Sequence, residues 1–187
     1  MNTLIKCRRR SIRLRGYDYS TIGAYFVTIC AYNRKCLFGQ IVDEQVQLTD
    51  VGEMVRRWVT ELERKFSSSK VDTYVIMPNH WHGIICLGQI EDSLSGIDRG
   101  QGALRMSDIV GWFKTMTSNE YLRQIRVEIH QQPLLRLWQR NYYEHVVRND
   151  DELNRIRQYI ADNPIRWEED RENPAGHPKR MVEGWQV

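Results

Sequence analysis

The sequence predicts an α+β domain, a ferredoxin-like antiparallel sheet with helices packed mainly on one face. Three observations carry this. Apolar periodicity runs strand, helix, strand, strand, helix, strand and a last helix through 187 residues. Only Pro78-Asn79 separates the two middle strands, which must then be antiparallel neighbours. A strand–helix–strand unit on each side of that hairpin completes a βαββαβ order. The length suits one domain with one core. Apolar residues at 41% and charged residues at 27% are ordinary for a folded chain.

The elements follow in order. Residues 24–30, Ala-Tyr-Phe-Val-Thr-Ile-Cys, are β-branched and aromatic, as a strand requires. Gly39 to Leu48 alternates weakly and predicts a small hairpin turning at Asp43-Glu44. Thr49 or Asp50 caps a helix to about Phe66, with Val51, Met54, Val55, Trp58, Val59 and Leu62 at helical spacing. Residues 71–77 and 80–87 are strands, and 88–106, with four glycines, is a loop. Ser107 caps a helix bearing Ile109, Val110, Trp112, Phe113 and Met116, and Leu134 to Val147 reads as extended. Asn149 opens the last helix, with Glu152 in capping-box spacing, and Pro164 ends it near Asn163. The organisation expected is a basic arm over 1–20, one domain over 21–167 and a polar tail over 168–187.

Composition excludes several classes. The longest apolar runs are too short to span a bilayer, and no apolar stretch follows the basic N-terminus to make a secretory signal. Four cysteines without Cys-x-x-Cys spacing make neither a zinc site nor a disulfide framework, so a reducing cytoplasm is the default compartment. The net charge of +3 is uneven: Lys6, Arg8, Arg9, Arg10, Arg13 and Arg15 face no acid in the first fifteen residues. Such an arm suits a polyanion, although a solvated tail has the same composition.

Two segments suggest chemistry. In His80-Trp81-His82, strand alternation puts both imidazoles on one face and Trp81 on the other. Two imidazoles at i and i+2 can share a metal ion; the plainer reading is two surface histidines. On the last helix Leu153, Ile156 and Ile160 form an apolar stripe. Tyr159 and Asn163, four residues apart, share a face beside it. A boundary tyrosine and a helix cap are the plainer readings there. Tyr142 and Tyr143 must face opposite ways in a strand, so one of them, with Arg136 and Arg140 nearby, can stack on a nucleic-acid base.

Taken together, these pieces resemble a known family. His80-Trp81-His82 is similar to the histidine–hydrophobe–histidine (HUH) motif of single-tyrosine endonucleases and transposases, and Tyr159 with Asn163 to their helix-borne nucleophile and its polar partner. The nearer resemblance is to the REP-associated tyrosine transposases. It is carried by residues 9–14, 23–28, 77–85, 138–145 and 159–164, with Met-Pro-Asn-His-Trp-His-Gly and Trp-Gln-Arg-Asn-Tyr-Tyr its most specific blocks. Trp81 is bulkier than the aliphatic residue more often found there, which is expected only to reshape packing behind the sheet.

The resemblance implies an HUH endonuclease fold and metal-dependent cleavage and rejoining of single-stranded DNA beside REP-like hairpins. Tyr159 would be the nucleophile, forming a 5′-phosphotyrosine. His80, His82 and Asn163 would hold Mg2+ or Mn2+, and Arg8, Arg9, Arg10, Arg13 and Arg15 would grip hairpin phosphates. It leaves monomer or homodimer undecided and implies no membrane partner. Asp162 and His145 are candidate general bases. The competing readings are a non-catalytic hairpin-binding protein derived from a transposase, and a metal hydrolase or replication initiator with the same motif.

Overall fold

The computed structural model describes residues 22–88, 104–127 and 136–176. Four strands, β1 (Gly23–Cys30), β4 (Ser69–Ile76), β5 (His80–Leu87) and β6 (Tyr143–Val147), form one antiparallel sheet in the order β4-β5-β1-β6. Helix α1 (Asp50–Lys65) connects β1 and the following hairpin to β4, and α2 (Met106–Val127) lies between β5 and β6. This is the predicted βαββαβ arrangement. The link between β4 and β5 is three residues, Met77 to Asn79, because Met77 leaves the ladder and its N–H bonds the His80 carbonyl at 2.8 Å.

The starts of α1 and of the α-helix that follows β6 use the caps that the sequence predicts, Thr49 and Asn149, whereas Ser107 lies inside α2 and does not cap it. Thr49 Oγ1 accepts the Gly52 N–H and donates to the Leu37 carbonyl at 2.7 Å, which ties α1 to the preceding loop. The side hairpin, β2 (Gly39–Val42) with β3 (Gln45–Leu48), turns at Asp43 and Glu44, which have φ of 48° and 62°. Those are the left-handed angles a two-residue hairpin needs, reached here without glycine. Helix α2 begins one residue before Ser107, and Asp108 Oδ2 accepts the Arg105 N–H at its start. Within the segment expected to be extended up to Val147, only Tyr143–Val147 joins the sheet, apart from a single bridge between Trp138 and Ala31. Lys114 Nζ donates to the carbonyls of Gln139 and Arg140 at 2.6 and 3.0 Å, holding the bend before β6.

The two faces of the sheet carry different layers. Tyr25, Val27 and Ile29 of β1 with Trp81, Ile85 and Leu87 of β5 pack against α1 and α2 in the larger core. Phe26 and Ile84 point the other way and pack against Ile156 and Ile160 of α3 (Asp150–Asp162). Thus α1 and α2 share one face and, among the described residues, α3 is the α-helix that covers the opposite one. Trp81 lies within the larger core, beside Phe113 at 5.9 Å between ring centroids, and its ring folds over Gly83. A Cβ at Gly83 would collide with that ring, so the bulky middle residue and the glycine two places on are a matched pair.

Candidate metal centre and nucleophile

The histidine pair is positioned by β5, the central strand between β4 and β1. Alternation turns His80 and His82 toward the α3 face, with ring centroids 4.3 Å apart. Both are buried, with 0% and 3% of their surface exposed. Each is held by one ring nitrogen: His80 Nδ1 lies 2.8 Å from Asn79 Oδ1, and His82 Nδ1 lies 2.8 Å from Thr28 Oγ1 on the paired position of β1. The Nε2 atoms of both rings are buried without a hydrogen-bond partner among the described residues. Burial disfavours the imidazolium form. It holds His82 at about 3 and His80 well below the ordinary histidine value, with His82 and Arg34 pushing His80 further down and the neighbouring Asn163 side chain opposing them. The rings are therefore neutral at physiological pH, the form in which imidazole binds a metal.

Helix α3 carries the tyrosine. Asn149 Oδ1 accepts the Glu152 N–H at 2.9 Å, half of the expected capping box. The other half is not made. Glu152 instead accepts the Arg148 N–H at 2.7 Å and pairs with His145 Nε2 at 2.9 Å. Burial alone would raise the Glu152 carboxyl, but these partners hold it below its usual range. The stripe residues Ile156 and Ile160 are buried and Leu153 packs at their margin. Tyr159 is half-buried beside them, its ring 5.5 Å from that of His82 and 6.0 Å from Phe26. Phe26 also stacks on His82 at 5.3 Å and meets Tyr143 edge-on at 6.3 Å, so one strand residue orders three rings of the site. Its fully apolar character concealed that placement in the sequence.

Asn163 is buried and stays helical, with φ −58° and ψ −41° despite the following proline. The chain does not leave the domain there. The Arg166 N–H bonds the Asp162 carbonyl at 3.2 Å, and residues 163–176 turn back across the site. This brings in Asp170, which lies in the segment read from sequence as tail. Its Oδ2 is 3.9 Å from His80 Nε2, and its side chain is hydrogen-bonded by Asn163. One metal-ligand atom each from His80, His82 and Asp170 lie within 4.8 Å of one another. Burial raises the Asp170 carboxyl, opposed by the Glu172 N–H at 2.6 Å and by Asn163. Asn163 Oδ1 is also buried without a partner among the described residues. No spacing rule reaches Asp170 from His82, eighty-eight residues before it, so only the fold reveals it. Two imidazole nitrogens, an amide oxygen and a carboxylate, three of them buried without a hydrogen-bond partner among the described residues, form a donor set that fits a divalent cation.

The remaining expected residues are distributed as follows. Asp162 accepts from Gln158 Nε2 at 2.7 Å and faces Arg166 at 3.9 Å, an ordinary helix-end charge. His145 is engaged by Glu152 at the first turn of α3, two turns before Tyr159. Tyr143 faces the side of Phe26 and the histidines, whereas Tyr142 packs on the larger core and donates to Glu144 at 3.0 Å. Arg136 is exposed, with its guanidinium 5.8 Å above the Tyr32 ring, and Arg140 is exposed. Arg8, Arg9, Arg10, Arg13 and Arg15 lie outside the described residues. Among the described residues no helix is long and apolar enough to cross a membrane.

A central strand with paired histidines on one face, and helix α3 presenting a tyrosine to them, defines a REP-associated tyrosine transposase-like fold. The solved structure of a REP-associated tyrosine transposase bound to a REP hairpin superposes with a TM-score of 0.54, covering 84% of this chain and 74% of that one at 20% identity. No protein-family model matches the chain. A protein of Haemophilus influenzae, itself uncharacterized, is 37% identical over 167 residues, which span 87% of this chain and 91% of that protein. The chain belongs to one family with it.

Proposed function

We propose that this protein is a metal-dependent single-stranded DNA endonuclease and transposase that cuts and rejoins DNA beside REP-like hairpins. The observation that carries the reading is the convergence of buried, unpartnered His80 Nε2, His82 Nε2 and Asn163 Oδ1 on the sheet face where Tyr159 packs. Structural neutral histidines normally satisfy both ring nitrogens, and acceptors left without donors in a protein interior are costly unless they serve a cation. The resemblance to a hairpin-bound transposase supplies the substrate class.

The chain's residues divide the work. His80, His82 and Asn163 would hold the ion, with Asp170 as a further oxygen donor. Two imidazoles suit manganese better than magnesium, which prefers an all-oxygen shell. When bound, the ion supplies polarisation of a phosphate oxygen and offsets charge developing on it. Tyr159 Oη attacks the phosphorus, forming a 5′-phosphotyrosine as the bond to the 3′-oxygen breaks and that oxygen takes a proton. The phosphodiester energy is retained in the tyrosyl ester, so a 3′-hydroxyl can reverse the step and rejoin strands. A phenol ionises near pH 10, so its activation has to come from the site. Phe26, packed against the faces and edges of both rings, fixes Tyr159 relative to His82. Tyr143, edge-on to Phe26 on the same face, would stack on a base, and the N-terminal arginines would add sequence-independent grip on the hairpin stem.

The test is covalent capture. Protein mixed with end-labelled hairpin DNA carrying a single-stranded flank and Mn2+ should yield a band that survives denaturing electrophoresis, with DNA attached to Tyr159 on peptide mapping. Hairpin binding without any adduct would make the chain a non-catalytic binder derived from a transposase.

A further inference from the structure

Asn79 forms an unusually complete set of bonds for a residue in a strand connection. It is fully buried. Its Nδ2 donates to the Arg34 carbonyl at 3.0 Å and to the Glu172 carbonyl at 2.6 Å. Its main-chain carbonyl accepts the Ala31 N–H at 2.7 Å, and Pro78 accepts from Phe38 at 2.9 Å, so the connection itself is anchored. The two side-chain bonds decide which way the amide faces. Carbonyl oxygens only accept, so the nitrogen must point at Arg34 and Glu172, and Oδ1 must point at His80 Nδ1. An amide oxygen also only accepts. His80 Nδ1 must therefore carry the ring proton, which in a neutral imidazole leaves the lone pair on Nε2, the atom that faces Asp170. His82 lacks such a constraint, because the Thr28 hydroxyl beside its Nδ1 can donate or accept.

We propose that Asn79 is a positioning residue for the metal centre: it fixes His80 as the Nδ1–H tautomer, aiming the Nε2 lone pair into the site, and the same amide fastens the returning segment that presents Asp170. The proposal rests on the metal-site reading above and adds what sets the donor atoms. One side chain thereby couples three stretches that are remote in sequence, the turn at Arg34, the histidine strand and the segment around Glu172. Glu172 reinforces that coupling, since its carboxylate pairs with Arg34 at 2.9 Å and accepts from the Cys30 thiol at 3.3 Å.

The test uses long-range proton–nitrogen spectra of the full chain, labelled with 15N-histidine, free of metal and DNA. His80 should show a protonated Nδ1 and a bare Nε2, the reverse of the tautomer that imidazole prefers in water. Asn79→Ala should shift His80 toward Nε2–H and weaken Mn2+ binding, measured by titration, by about 10- to 100-fold. Asn79→Asp keeps an acceptor beside Nδ1 but loses both donors. It should retain the His80 tautomer, while trypsin cuts after Arg166 or Arg171 faster than in the parent chain. A wild-type spectrum with the proton on Nε2 would overturn the proposal, and needs no variant to fold. Asn79→Ala binding Mn2+ as tightly as the parent would do the same, and an unchanged trypsin rate in Asn79→Asp would remove the fastening role. These readouts are independent of DNA chemistry: a chain that shows the Nδ1–H tautomer and binds Mn2+ but never forms an adduct would sink the transposase reading and leave this one standing.

Discussion

The two faces of the sheet differ in a way that separates folding from chemistry. On the face covered by α1 and α2, buried apolar side chains meet one another, and Trp138 Nε1 donates to Thr117 at 2.8 Å and Thr117 back to the Phe113 carbonyl at 2.7 Å, while the Trp81 Nε1 is buried without a hydrogen-bond partner among the described residues. On the α3 face, among the described residues, Phe26, Ile84, Ile156 and Ile160 form the buried apolar cluster. Beside them lie His80, His82, Thr28 and Asn163, with His80 Nε2, His82 Nε2 and Asn163 Oδ1 buried without hydrogen-bond partners among the described residues. A buried polar atom without a partner costs stability, and on the α3 face three such atoms gather around the histidines. The same four strands carry the larger apolar core on one side and the histidine pair on the other, separated by the strand's two-residue alternation.

The sharpest test of that division is Tyr159→Phe. It removes one oxygen from the α3 face while keeping the ring packing with Phe26 and His82. Cleavage and the covalent adduct should disappear, while hairpin affinity and melting temperature stay close to those of the parent. An active variant would show that the chemistry is not on this face. Replacing His80 and His82 together by Ala should likewise abolish cleavage, with DNA retention on a filter as the control.

DNA affinity should depend on neither face so much as on the arm. Deleting residues 1–15 removes six cationic side chains. For every phosphate that the shortened chain no longer neutralises, the slope of log affinity against log salt should flatten by about 0.9 on a duplex stem. An unchanged slope would reduce the arm to a solvated segment.

On the opposite face the expected effect is on stability. Phe113, 1% exposed between Trp81 and Trp138, should cost about 3–5 kcal/mol when changed to Ala, read by chemical denaturation. The folded fraction should bind Mn2+ unchanged. A drop in metal affinity larger than the drop in folded protein would break the separation.

A smaller effect separates the faces by pH. Both histidines are neutral in the fold and titrate near 6.5 once unfolded, whereas His82 falls to about 3 and His80 lies well below its usual value when folded. Between those limits the unfolded chain binds more protons, so the metal-free fold is most stable above pH 6.5 and weakens as pH falls. The loss should approach about 1.4 kcal/mol per pH unit for each histidine. The double His80→Gln, His82→Gln variant should remove most of this slope between pH 6.5 and 5, and a slope that persists in it would assign the effect elsewhere.

Much of this was legible in the sequence because it is local. The two-residue alternation put His80 and His82 on one face and Trp81 on the other, and the observed strand keeps that arrangement. Thr49 and Asn149 marked their helix starts, and the order of strands and helices specified the sheet topology. These follow from backbone geometry and caps, which depend on residues only a few positions apart. What the tertiary structure decided is what joins distant segments. The sequence did not show that α3 covers the histidine face, opposite α1 and α2, that Phe26 lies between His82 and Tyr159, or that Glu152 turns to His145 rather than completing its box. Nor did it show that the polar segment after Pro164 folds back to bring Asp170 within 3.9 Å of His80. Pro164 disfavours helix at Asn163, yet Asn163 remains helical, because its buried side chain bonds Asp170 and the next turn closes behind it. A local preference of this kind yields when interactions with residues far along the chain outweigh it, and no periodicity in the sequence encodes those interactions.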